Sequence, residues 1–78
     1  MNITLFSSAT CTPCRSIKQY LSMKGFTYNE VDATELENSL LLKKLTGENR
    51  TPTVLIQNGD KTSVVIGLNY GSLAEALA

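Results

Sequence analysis

Apolar residues in this chain come in short runs separated by polar turns. NITLF, residues 2–6, is β-prone and apolar and predicts a first strand. SSAT, residues 7–10, follows as a short polar loop. Between Thr12 and Lys24, the residues Ile17, Tyr20, Leu21 and Met23 fall near i, i+3, i+4 spacing, which predicts a helix with one buried face. Thr10 or Thr12 can cap its start, Pro13 is tolerated in a first turn, and Gly25 supplies the stop. FTYNEV, residues 26–31, alternates and predicts a second strand. Thr34 with Glu37 makes a capping box for a helix carrying Leu36, Leu40, Leu41 and Leu45, which Gly47 closes. TVLIQ, residues 53–57, reads as a buried strand. Asn58-Gly59 is a tight hairpin signal, and KTSVVIG, residues 61–67, returns as a fourth strand. Ser72 with Glu75 offers another capping box, opening a last short helix with Leu73, Ala74 and Leu77.

The predicted order is β-α-β-α-β-β-α, without repeats, linkers or low-complexity tracts. The first β-α-β unit should be parallel with a right-handed crossover. The hairpin makes the last two strands antiparallel. The expectation is an α/β fold, a four-stranded mixed sheet flanked by helices, in a single domain spanning residues 1–78.

Composition narrows the function. With 78 residues, 42% of them hydrophobic, the chain can build one small core. Seven basic residues balance seven acidic ones, so nothing suggests a nucleic-acid footprint. No apolar run approaches the roughly 20 residues of a membrane span. MNITLF has neither the basic nor the long apolar region of a secretory signal. The expectation is a cytoplasmic monomer, in a compartment where ordinary thiols stay reduced and a lasting structural disulfide is not expected. Histidine is absent, which excludes a Cys-His pair, a Ser-His-Asp triad and histidine metal ligands. Any chemistry here runs on cysteine, on carboxylates, or not at all.

Cys11 and Cys14 are the two cysteines, with Thr12 and Pro13 between them. They are a structural staple, half of a metal site, or a reactive pair. A zinc site needs about four ligands, and one C-x-x-C supplies two, so no metal site is expected. A static disulfide closing so short a loop adds little stability. A C-x-x-C that follows a strand and opens a helix reads as a redox motif. At the helix N-terminus, free N–H groups and the macrodipole stabilise a Cys11 thiolate. The thiolate is the nucleophile in disulfide exchange. Cys14, one turn inside the helix, is near enough to attack a mixed disulfide. The expected roles are that Cys11 attacks and Cys14 resolves.

Beyond the CTPC motif, the chain carries Thr51-Pro52-Thr53 after the second helix, a hairpin, and Gly67 before the last helix. Over nearly its whole length it resembles the thioredoxin fold, and within it the small glutaredoxin-like redoxins. That resemblance implies a cis Pro52 facing the cysteines. It implies a Thr51 whose backbone hydrogen-bonds an extended substrate, with Thr12, Pro13, Gly67 and Ser72 on the substrate side. Arg50-Thr51-Pro52 has one residue fewer than the usual spacing. Arg50 then either binds a substrate carboxylate or is a solvated loop charge. Arg15 and Lys18 either raise the positive potential near the cysteines or are simply exposed charges, and Tyr70 either covers the cysteines or packs.

The subfamily is read from departures. GLNYGSL, residues 67–73, has one glycine and no aspartate where glutaredoxins hold the γ-glutamyl carboxylate of glutathione. Ser72 and the last helix's backbone remain as anion contacts. SSAT replaces the usual lysine before the motif, and a proline precedes the second cysteine as in thioredoxins. These features resemble the NrdH-type redoxins, although only Gly67-Leu68 echoes that group's longer signature. The resemblance implies a dithiol–disulfide oxidoreductase that reduces protein disulfides and donates electrons to ribonucleotide reductase. Its electrons would come from NADPH through thioredoxin reductase, with no tightly bound cofactor. The alternatives are recycling by glutathione, an iron–sulfur cluster carrier and a redox-insensitive peptide-binding module using the Pro52 edge.

Overall fold

A computed structural model describes residues 1–78. The elements are β1 (Asn2–Ser7), α1 (Thr12–Met23), β2 (Asn29–Asp32), α2 (Leu36–Thr46), β3 (Thr53–Asn58), β4 (Lys61–Ile66) and α3 (Tyr70–Leu77). The four strands lie in the order β2-β1-β3-β4. β1 pairs parallel with β2 and antiparallel with β3, and β3 pairs antiparallel with β4. This is the mixed sheet, in the element order, that the hydrophobic pattern predicts. The thioredoxin-like architecture follows from it. No helix is long and apolar enough to cross a membrane.

The period-2 alternation of the strands divides the core. Ile3, Leu5, Val54, Ile56 and Val65 face Ile17 and Leu21 of α1 and Leu73 and Leu77 of α3. Phe6 turns the other way and meets Ala33 and Leu42 of α2, with Val31 and Leu55 beside them. Two helices therefore cover one face of the sheet and a single helix covers the other.

Local chemistry moves several boundaries. β2 begins at Asn29, not at residue 26. Helix α1 ends with Gly25 at φ +81°, its amide bonded to Ser22 O and the Phe26 amide bonded to Leu21 O at 2.9 Å. This is a Schellman closure, so Phe26 belongs to the helix end and not to a strand. At α2 the capping box does not form. Glu35 is the N-cap, without a side-chain cap bond. The Thr34 hydroxyl donates to Asp32 Oδ1 at 2.6 Å, and the Thr34 amide donates to the same oxygen at 2.9 Å. The nearer aspartate wins the threonine by forming an Asx-type turn. Leu42, absent from the predicted apolar set, is the buried residue of α2, while Leu36, Leu40, Leu41 and Leu45 are exposed.

The hairpin loop is Gly59-Asp60, one residue later than expected, because Asn58 still pairs with Lys61. Gly59 has φ +61° and Asp60 has no positive φ, the pattern of a turn with glycine at its first central position. At α3 the N-cap is Asn69, whose side chain accepts from the Ser72 amide; Ser72 does not cap.

Candidate active site

Sheet register brings the predicted site together at one end of the molecule. Phe6 of β1 is opposite Thr53 of β3, Thr53 is opposite Ile66 of β4, and Ser7 is opposite Asp32 of β2. The loop running from Ser7 to Cys11, the Arg50–Pro52 segment, Gly67 and Asp32 all leave the sheet at that end. The fold thus converges segments far apart in sequence on the cysteine motif.

Cys11 ends the β1–α1 loop in an extended conformation, φ −86° and ψ 105°. It is itself the N-cap of α1, in place of Thr10 or Thr12. Its sulfur accepts a hydrogen bond from the Cys14 amide at 3.1 Å, while its own amide donates to Ser8 O at 3.2 Å. Pro13 lies within the first turn, where its missing N–H leaves nothing unpaired. Cys11 and Cys14 form a disulfide, with Cα atoms 5.3 Å apart. The two sulfurs differ in environment. Cys14 is 1% exposed, whereas Cys11 is half-buried and Thr12 and Pro13 are exposed.

The Thr51–Pro52 bond is cis. Pro52 is buried, and its carbonyl accepts from the Gly67 amide at 2.8 Å. Gly67 makes this turn at φ +77°, a conformation that costs a residue with a Cβ. Thr53 Oγ donates to Arg50 O at 2.7 Å, which fixes the segment from the other side. The amide and carbonyl of Thr51 take part in no backbone hydrogen bond of the fold.

Two predicted residues are drawn elsewhere. The Arg50 guanidinium is exposed and reaches Glu48 in its own loop at 3.5 Å. Ser72 has its amide taken by Asn69 and lines a groove along β4 with Ser63, Val65 and Glu75. Tyr70 packs against Tyr20 with ring centroids 5.1 Å apart, and Lys24 sits over the Tyr20 ring. Lys18 is not a free charge, because its ammonium lies 2.9 Å from Glu30 Oε2.

A groove of about 440 Å³ opens beside Cys11, lined by Ser7, Ser8, Arg15, Lys18, Glu30 and Asp32 among others. Ser7 Oγ donates to Glu30 Oε2 at 2.6 Å. That hydrogen bond, followed by the one from Lys18, holds the Glu30 carboxyl below the usual carboxylate range. The two bonds from Thr34 do the same for Asp32. Sequence reading missed Ser7, Glu30 and Asp32. Only the parallel register of β1 and β2 places them next to Cys11, and nothing local signals it.

The sequence model of the Glutaredoxin family matches residues 3–61, from β1 to the start of β4. The chain belongs to the glutaredoxin family. It is a thiol–disulfide oxidoreductase, and Cys11 and Cys14 are its disulfide-forming pair. The match stops short of Gly67 and α3. The chain is 30% identical to an N-acetyl-S-hydroxy-L-cysteine reductase of Bacillus subtilis, over all of this chain and 85% of that protein. Among solved structures, a variant of the thioredoxin-like protein BC3987 superposes with TM-score 0.83 at 27% identity, over 99% of this chain and 100% of that one. NrdH-redoxin from Escherichia coli superposes with TM-score 0.73 at 19% identity, over 96% and 93% of the two chains. Buckwheat glutaredoxin in complex with glutathione gives TM-score 0.66 at 25% identity, over 94% and 64%.

Proposed function

We propose that this redoxin reduces protein disulfides, with Cys11 as the attacking thiolate and Cys14 as the resolving thiol. The observation that carries the reading is the asymmetry of the pair. Cys11 is reachable and caps the helix with its sulfur, while Cys14 is 1% exposed. An incoming disulfide meets Cys11 first. The Cys11 thiolate bonds to one substrate sulfur and the other leaves as a thiolate that takes up a proton. Cys14 then attacks Cys11, releasing the second substrate thiol and leaving the protein disulfide. Thr51 supports the reading through its unengaged amide and carbonyl, which suit an extended chain laid beside Pro52.

In this reading, thioredoxin reductase and NADPH return the protein to its dithiol form, and ribonucleotide reductase is the client. The NrdH-type resemblance supports that assignment, and so does the Asn69 side chain at the α3 N-terminus, which already occupies the Ser72 amide. The protein then works in the cytoplasm as a single-domain electron carrier. The test is NADPH consumption with a model disulfide and two recycling systems. One contains thioredoxin reductase and the other contains glutathione with glutathione reductase. Turnover with the first alone supports the reading, and efficient turnover with the second replaces it with a glutathione-dependent one.

A second reading follows from the Bacillus subtilis relative, whose substrate by name is a small cysteine sulfenic acid. The groove beside Cys11 has room for a molecule of that size. Cys11 would attack the sulfenic sulfur and expel hydroxide, which leaves as water. Cys14 would then release the reduced thiol and close the protein disulfide. Consumption of protein dithiol by N-acetyl-S-hydroxycysteine, measured against the protein disulfide, separates the two readings.

A further inference from the structure

The exposed face of α2 reads the same from both ends. At about 100° per residue, Leu36, Leu40, Lys44, Glu37, Leu41 and Leu45 follow one another round roughly half the helix. All six are exposed, and the four leucines are 74%, 61%, 46% and 37% exposed at positions 36, 40, 41 and 45. Leu42, on the opposite side, is the anchor to Phe6 and Ala33. A two-fold axis level with the point midway between residues 40 and 41 sets Glu37 against Lys44 and gathers Leu40 and Leu41 of both copies at the centre, with Leu36 and Leu45 on opposite flanks. The central charges of the face therefore meet their complements in an antiparallel copy of it, and the central leucines meet leucines.

The charges make the match specific. Glu37 lies in the first turn of α2 and Lys44 in the last. Neither has an ion-pair partner within the chain, whose two salt bridges join Lys18 to Glu30 and Arg50 to Glu48. In an antiparallel pair, each Glu37 faces the other copy's Lys44, twice over. The parallel alternative sets like charges against one another. The surrounding sheet also lacks cover on this side. Val64 and Ile66, on the same face as Phe6 and Leu55 by register, are more than a third exposed. Three helices shared two-to-one between the faces leave the α2 side short of apolar cover.

We propose that α2 is the interface of an antiparallel, two-fold symmetric homodimer. This replaces the monomer expected from sequence. One pair of three-turn helices buries an area at the low end of specific interfaces, so the dimer is weak and forms as concentration rises. None of the six residues of the pairing face lines the groove beside Cys11.

Sedimentation equilibrium across a concentration series from micromolar to millimolar tests this on the oxidised protein. The expected result is a mass rising toward twice the monomer's. Glu37→Lys should raise the dissociation constant about tenfold, because two attractive pairs become two repulsive ones. Lys44→Glu should do the same. The Glu37→Lys/Lys44→Glu double variant should restore the wild-type constant, which no loss of folding can imitate. Leu40→Gln/Leu41→Gln should remain monomeric with unchanged disulfide reductase activity at dilute concentration. A wild-type mass that stays monomeric at all concentrations overturns the proposal. So does a dimer indifferent to both charge reversals. Monomeric wild type whose Leu40→Gln/Leu41→Gln variant loses activity toward a protein substrate assigns the face to the client, and that outcome also overturns it.

Discussion

The backbone amide of Cys14 donates to the sulfur of Cys11 across 3.1 Å, so the nucleophile of the proposed reaction is also the cap of its own helix. The two duties reinforce each other. A thiolate at the N-cap accepts a charge-assisted hydrogen bond and faces the positive end of the α1 macrodipole. Replacing Cys14 with serine keeps the amide in place and removes only the resolving sulfur. Cys14→Ser should therefore still attack disulfides and accumulate a one-to-one mixed disulfide, visible by mass spectrometry, while multiple turnover stops. Cys11→Ser should form no such adduct. Adduct on Cys14 in the Cys11→Ser protein would reverse the proposed roles.

The same geometry separates capping from redox. Cys11→Ser keeps an oxygen able to cap, and Cys11→Ala does not. Both lose the disulfide. Under reducing conditions, Cys11→Ala should be less stable than Cys11→Ser by about 1 kcal/mol in urea unfolding. Equal stabilities would show that the sulfur's hydrogen bond contributes nothing measurable.

Glu30 beside the cysteines should make stability depend on pH. Its folded pKa is lowered, first by the Ser7 hydroxyl and then by Lys18. A lowered pKa stabilises the fold above the ordinary carboxylate range, and that stabilisation is lost as pH falls through the folded value. The Glu30 side chain is 40% exposed, so solvent screening keeps the effect below about 1 kcal/mol. Glu30→Gln should lose less stability than wild type between neutral pH and pH well under the carboxylate range. Ser7→Ala should fall between the two. Thermal midpoints at several pH values check this, and parallel profiles for wild type and Glu30→Gln would remove Glu30 from the account.

Helix α2 holds five leucines, and the structure gives them unequal weight. Leu42 is fully buried against Phe6 and Ala33, whereas Leu41 is exposed. Leu42→Ala should cost about 2–5 kcal/mol, because the removed methyl groups leave a cavity. Leu41→Ala, measured at dilute concentration, should stay within about 0.5 kcal/mol of wild type. Guanidinium unfolding of the two variants side by side decides it. Comparable losses would mean that α2 sits on the sheet by a different face.

These leucines mark where sequence stopped being legible. An i, i+4 pattern shows that a helix has an apolar side, but in LLL, residues 40–42, three neighbours compete for the sheet. Only packing against Phe6 selects Leu42. The capping boxes failed for a related reason, since the S/T-x-x-E pattern ignores better acceptors nearby. Asp32 lies two residues before Thr34, and Asn69 lies three before Ser72. Elements with strong local determinants were readable, among them the β1–CTPC–α1 unit, the sequence of elements along the chain and the glycine stops. The groove was not, because its Ser7–Glu30 contact spans 23 residues and depends on β1–β2 register. Arg50 was left between two readings by its shortened spacing, and its exposed guanidinium pairs with Glu48 of the same loop at 3.5 Å.

Asn69 offers the sharpest separation of recycling partners. Its side chain takes the Ser72 amide at 3.1 Å, a donor that an anion at the α3 N-terminus would otherwise use. Asn69→Gly vacates that amide at a cost of only a few tenths of a kcal/mol, because glycine is itself a tolerated N-cap. If Asn69 is what keeps a glutathione carboxylate from α3, the Asn69→Gly protein should gain turnover with glutathione and glutathione reductase. Turnover with thioredoxin reductase should stay as it was, since that exchange needs only Cys11 and Cys14. Asn69→Ala should show the same gain with a larger loss of stability, about 1 kcal/mol. Both variants remaining unresponsive to glutathione would move the block elsewhere, to the SSAT loop, which lacks the lysine usual before the motif.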